Sequence, residues 1–177
     1  NWNVAANWSQ ATYGGTASAT YPGQIGTTDI VFISGHAITV SATPPNAVAG
    51  ITLNQLGTSA ATKLTVSSAA VVLTCTGFTM LDANVNQDMD LEVGSSARLQ
   101  VNGAITVTRS TTNSRNKRMR IYALNTGTIT STGNFIYTYG RSGGENQVEV
   151  QLDNTSQLNV GGNLQCVIGN NAQGNDN

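Results

Sequence analysis

Asp88, Asp90 and Glu92 occupy alternate positions of QDMDLEVGSS (87–96), in a chain where charged residues are only 10% of the total. Alternate residues of a strand share one face, so the three carboxylates would stand in a row. Such a row suits calcium, which takes about six to eight oxygens, or acid–base work by paired carboxyl groups. It equally suits the wet face of an ordinary strand. A second cluster, RSTTNSRNKRMR (109–120), carries Arg109, Arg115, Lys117, Arg118 and Arg120. As an exposed loop it suits contact with an anionic glycan, lipopolysaccharide or a neighbouring protein; the bland alternative is solvation. His36 is the sole histidine, which excludes multi-histidine metal sites within the chain and leaves a Ser-His-Asp triad resting on one residue. A structural turn residue is the simpler reading of it.

The elements that must position these groups repeat. LEVGSSARLQVNGAITV (91–107), IYALNTGTITSTGNFIYT (121–138) and VEVQLDNTSQLNVGGNLQCVIG (148–169) each read as strand, polar turn, strand, glycine-containing turn, strand. Gly103, Gly133 and Gly162 recur at a near-constant interval, and Met89, Met119 and Val148 recur at the same one. Within each unit the apolar residues alternate. Met89, Leu91 and Val93 match Met119, Ile121 and Ala123, then Val148, Val150 and Leu152. Leu99 and Val101 match Ile129 and Ser131, then Leu158 and Val160; Ile105 and Val107 match Phe135 and Tyr137, then Leu164 and Cys166. Residues 50–77 fit the plan more loosely, and VFISGHAITV (31–40) reads as a first, incomplete turn. Short strands recurring at a fixed interval without helices imply a parallel β-helix, right-handed, of about five coils of roughly 30 residues. An antiparallel sandwich has no reason to hold inward residues in that register.

The register turns the acidic row into a ladder. Asp88, Asp90 and Glu92 fall over Arg118, Arg120 and Tyr122, and the next coil brings Gln147, Glu149 and Gln151. Opposite charges on adjacent strands stabilise by about 0.2–1 kcal/mol per pair, so Asp90, Arg120 and Glu149 read as a structural ladder and not as a calcium site. Arg109, Arg115 and Lys117 have no acidic partner in this register and are the contact candidates. Arg120→Glu is therefore expected to destabilise slightly more than Arg109→Glu. The remaining acids, Asp29, Asp82, Glu145, Asp153 and Asp176, are scattered. No catalytic residue, metal or cofactor is assigned, and the chain is not read as an enzyme.

Composition narrows the classes further. The net charge of −1 gives no pull towards nucleic acid, and no apolar run approaches the ~20 residues that span a bilayer. Threonine, asparagine, serine and glycine dominate, which favours strands and turns over helix. Two cysteines, Cys75 and Cys166, are placed on the third strands of coils three steps apart, about 14 Å at the usual spacing of strands. A disulfide requires Cα atoms within about 7 Å, so both are expected as buried free thiols.

The opening residues carry a resemblance. Ala6, Trp8, Ser9, Pro22, Asp29, Val31, Ile33, Gly35, His36, Ile38, Thr39 and Val40, with AVAGITLN (47–54), resemble a recurrent start of secreted Bacteroidota surface β-helix proteins, and the segment is also similar to G8-type modules. That resemblance implies an N-terminal cap over residues 1–30, coils over 31–177 and beyond, export by the type IX system, and the company of gliding adhesins. Trp2, Trp8, Tyr13 and Tyr21 crowd this opening segment and would plug the open end; an aromatic platform for a sugar is the functional alternative. With His36, Trp2 and Trp8 are assigned to the cap.

These readings converge on an extracellular, cell-surface adhesive protein: a rigid stalk or tip contacting surface glycan or other surface and secretion proteins, without membrane insertion. A carbohydrate-active β-helix enzyme with its site outside this chain, and a phage or secreted fibre, are the alternatives. An ice-binding solenoid would need a regular threonine array; Thr106, Thr108, Thr128, Thr130 and Thr138 face outwards but share no single ladder in this register.

Overall fold

A computed structural model describes residues 1–10, 15–54, 60–67, 70–81, 87–109, 118–140 and 147–169. Among these, apart from one short 3₁₀ turn, Ala5–Asn7, every element is a strand. β1 (Ile30–Ser34), β2 (Ala37–Val40), β3 (Val48–Asn54), β4 (Thr62–Val66) and β5 (Val72–Leu81) precede three rungs of equal plan. These are β6 (Met89–Val93), β7 (Arg98–Val101) and β8 (Ile105–Arg109); β9 (Arg118–Ala123), β10 (Thr128–Ser131) and β11 (Phe135–Gly140); and β12 (Gln147–Leu152), β13 (Gln157–Val160) and β14 (Leu164–Gly169). All neighbouring strands pair in parallel.

One face stacks β2, β4, β6, β9 and β12, so the chain climbs four steps along it. The second face carries β7, β10 and β13, and the third carries β1, β3, β8, β11 and β14. Strand β5 serves both. Val72–Cys75 pair with β7 and Phe78–Leu81 pair with β8. The early rungs thus differ from the uniform three-strand plan: a single long strand passes where later rungs interpose the turns at Asn102–Gly103, Thr132–Gly133 and Gly161–Gly162. The architecture is a parallel β-helix of about four turns.

The inward alignment agrees residue by residue with the alternation of the sequence. Leu91 pairs with Ile121 and Ile121 with Val150; Leu99 pairs with Ile129 and Ile129 with Leu158; Ile105 pairs with Phe135 and Phe135 with Leu164. Up to the β9–β11 rung these columns, with Val31, Ile33, Val40, Leu53, Leu64, Leu73 and Phe78, form one continuous apolar core, against which Leu158 of the next rung packs. Burying each Leu or Ile side chain supplies about 1.5–3 kcal/mol. The step lengthens up the stack, being shorter from Ala37 to Lys63 and from Lys63 to Asp90 than from Asp90 to Arg120.

Two turns explain sequence markers. The Gly103–Gly133–Gly162 column lies where successive rungs touch through bare backbone: a Cβ on Gly133 would sit 2.9 Å from the carbonyl carbon of Gly103, and Gly133 N–H donates to Gly103 O at 2.9 Å. At the other corner Asn125 and Asn154 adopt φ of 53°, a left-handed conformation that asparagine tolerates better than most residues. The Asn154 amide donates to Asn125 Oδ1 at 2.8 Å.

Candidate functional site

The acidic row lies on the outer surface of the five-strand face. Its central column runs Lys63, Asp90, Arg120, Glu149, so the charge alternates over four rungs. Arg120 grips Asp90 through two bonds, Nε to Oδ1 at 2.7 Å and Nη2 to Oδ2 at 2.8 Å, and reaches Asp88 Oδ2 at 3.5 Å. Its guanidinium also stands 5.4 Å from the Tyr122 ring centroid. The Asp90 hydrogen bond raises the Arg120 pKa further, against a smaller opposing effect of burial, so the cation is permanent. Lys63 Nζ meets Glu92 Oε2 at 2.8 Å. Asp90 is buried, whereas Arg120, Asp88, Lys63 and Glu92 are partly exposed, so solvent weakens the outer contacts most.

Three details differ from the sequence register. Arg118 meets Asp88 through its backbone N–H, which donates to Oδ1 at 3.0 Å, and not through its guanidinium. The bonds of Arg120 run to Asp90 and Asp88, while Glu149 is its neighbour in register only. Lys63 falls outside the expected ladder because the step from β4 to β6, which pairs Lys63 with Asp90, is shorter than the later steps. The interval of the later coils overshoots it.

Arg109 corrects the reading of the basic cluster. It is the last residue of β8, at the inward parity of Ile105 and Val107, and is only 4% exposed. It is therefore no surface contact residue. Burying a cation is costly unless it is matched, so Arg109→Glu is expected to destabilise more than Arg120→Glu, the reverse of the order that a solvated loop would give. Arg115 and Lys117 lie outside the described residues, as do Tyr13, Asp82, Glu145 and Asp176.

The N-terminal segment folds against the first rung. Trp2 is fully buried within the apolar core; its backbone N–H donates to Thr39 O at 2.7 Å and its indole to Pro22 O at 2.9 Å. Trp8 packs edge-on to it, ring centroids 5.0 Å apart, and donates its indole N–H to Trp2 O at 2.7 Å. Between this segment and β1–β2 lies a groove of about 1120 Å³, lined among others by Trp8, Tyr21, Asp29, Phe32, His36 and Asn54. His36 is exposed in the β1–β2 turn, and its carbonyl accepts from Lys63 N–H at 3.0 Å. The turn relies on Gly35, at φ 63°, whose N–H donates to the buried Thr62 hydroxyl at 2.8 Å. That hydroxyl donates in turn to Asn54 O at 3.0 Å. The sequence does not single out Phe32 and Asn54, because outward parity on a strand reads as ordinary surface. An aromatic in such a position is the available signal.

Thr108 and Thr138 share one outward column, at the interval of the later coils, and Thr52, Thr79 and Thr106 share another, which that interval does not bring together. The cysteines also move. Cys75 aligns with Val101, on the second face, whereas Cys166 aligns with Tyr137 on the third. Both are free; Cys75 is buried, but Cys166 is exposed on the last described rung, where no further described rung covers it.

No family model matches the chain, and neither a curated protein nor a solved structure matches it. Among the described residues no helix is long and apolar enough to cross a membrane.

Proposed function

We propose that this chain is a rigid adhesive rod of an extracellular surface protein, displaying its outer faces and N-terminal end to a surface glycan or a neighbouring surface protein. The observation that supports it best is the fate of the acidic row. Asp90 and Glu92 are tied to Arg120 and Lys63, and Asp88 accepts from the Arg118 backbone, so the sheet face is spent on aligning rungs. Groups held in this way serve a scaffold, since general acid–base work needs carboxyls with contrasting environments poised over a substrate. The low-charge outer columns of threonine, asparagine and glutamine suit contact with hydroxylated surfaces. The opening residues Ala6 to Val40, with their resemblance to exported Bacteroidota surface proteins, support the extracellular placement.

Beads coated with the chain and presented to polysaccharide-coated and bare surfaces under flow test the reading. Retention on the polysaccharide, without release of new reducing ends or unsaturated products, is the expected result. Product release would instead establish a carbohydrate-active enzyme. Absence of retention on every surface, including intact bacterial cells, would sink the adhesive role. Trimers on sizing would turn the reading towards a fibre.

A further inference from the structure

We infer that the groove between the N-terminal segment and the first rung is a binding site for a neutral oligosaccharide; this deepens the adhesive reading and rests on it. The groove offers three aromatic side chains, Trp8, Tyr21 and Phe32, beside Asp29, His36 and Asn54. Phe32 is 68% exposed, on a strand whose neighbouring outward column otherwise holds Thr52, Thr79 and Thr106. Ile30, next to it on the same face, is 65% exposed. An apolar patch rimmed by polar groups marks a binding surface, and the electron-rich face of an aromatic ring attracts the polarised C–H bonds on one face of a sugar.

The polar wall is already fixed in place. Gly23 N–H holds the Asp29 carboxylate at 2.8 Å, and Trp2 O holds the Trp8 indole at 2.7 Å. Preorganised groups avoid the ordering cost of binding. Asn54 adds an independent sign: its Oδ1 is buried without a hydrogen-bond partner. A buried acceptor left unsatisfied is costly, and a sugar hydroxyl can supply the missing donor on a small turn of the amide. Among the described lining residues Asp29 is the single carboxylate, and none is a lysine or arginine, which selects an uncharged ligand over an acidic glycan. At about 1120 Å³ the volume exceeds the roughly 300–1,000 Å³ of small-molecule pockets, which fits several sugar rings better than one.

Trp8 provides the readout, since Trp2 is the only other tryptophan and is fully buried. Titration with cellotetraose, maltotetraose and chitotetraose is expected to shift the tryptophan emission for at least one of them, and Trp8→Phe is expected to abolish the shift. Phe32→Ala, at an exposed position, is expected to weaken binding about tenfold, a loss of about 1.4 kcal/mol, while leaving the thermal midpoint unchanged. Asn54→Leu is expected to weaken binding without destabilising the free protein, because it removes the unsatisfied acceptor. Saccharide binding that survives all three substitutions would place the site elsewhere and overturn the groove while leaving adhesion intact. Extended peptides binding in place of sugars, by pairing with the edge of β1, would overturn it too. Failure to bind any saccharide, together with loss of bead retention on polysaccharide, would overturn the groove and the adhesive reading at once.

Discussion

The two ends of the stack share one alternation of apolar and polar residues and differ in what covers them. At the first rung Val31, Ile33 and Val40 are at most 3% exposed, with Trp2 at 0% among them. At the last described rung Val150, Leu152 and Leu164 are 41%, 47% and 70% exposed. Their counterparts one rung below, Ile121, Ala123 and Phe135, are buried. Inward parity on a strand is therefore not burial. A rung of a solenoid is shielded only by its two neighbours, and at the first rung the N-terminal segment takes the place of one of them. The hydrogen bonds follow the same logic: Trp2 N–H pairs with Thr39 O as a further strand would.

The sharpest way to break this contrast is to truncate one side chain at each end. Trp2→Ala is expected to cost about 3–5 kcal/mol, as for other buried large aromatics. Leu164→Ala should cost under about 1 kcal/mol, because little area returns to water. Chemical denaturation measures both, and equal costs would mean that the N-terminal segment is not part of the core. The middle of the stack should resemble the covered end. Leu91→Ala, with Leu64 and Ile121 stacked on either side, should cost about 2–5 kcal/mol, against a smaller loss for Val150→Ala at the same column.

A backbone test comes next in size. Gly133→Ala would push a methyl group against the carbonyl carbon of Gly103, and overpacking of this kind costs about 1–3 kcal/mol. Smaller still is the charge ladder. Arg120→Ala strands the buried Asp90 carboxylate and should cost about 1 kcal/mol, less in high salt. Arg118→Ala should cost no more than about 0.5 kcal/mol, because its backbone makes the contact with Asp88. Identical salt-dependent losses would remove the ladder as a register device.

The gentlest probe leaves the chain unmutated. Burial pushes the Cys75 thiol up to about 12 from 9.0, which withholds the reactive thiolate. At pH 8 a thiol reagent should label the exposed Cys166 in the native protein and reach Cys75 only on unfolding. Because the folded value lies above the unfolded one, the stabilising effect of the neutral thiol is intact below about pH 9 and is lost as pH rises towards 12. Denaturation midpoints falling across that interval, and restored by Cys75→Val, would show it.

Much of the fold is legible in the chain because stacking is periodic. The glycine column and the Met89–Met119–Val148 column keep the same spacing, and that agreement identifies which residues meet across rungs. The Asp90–Arg120 pair follows from the spacing alone. Lys63, the Thr52–Thr79–Thr106 column and the true partner of Cys75 do not, because the early steps are shorter and β5 has no turn to mark its change of face. Arg109 misleads for a different reason: charge reads as exposure in a sequence, whereas at the end of β8 the alternation of the strand turns it inwards.

The sequence by itself determined the later rungs, from β6 to β14, with their inward columns and their pairing, since period-two alternation and a near-constant step are local properties that repeat. Only the tertiary structure decided what becomes of the groups left outside that period. It tied the carboxylates of QDMDLEVGSS to the Arg120 and Lys63 side chains and the Arg118 backbone, buried Arg109, and set Trp8, Phe32 and Asn54 around one groove. Those outcomes depend on how a non-repeating segment folds back on the first rung and on where each column meets its end. Neither is written in a repeat.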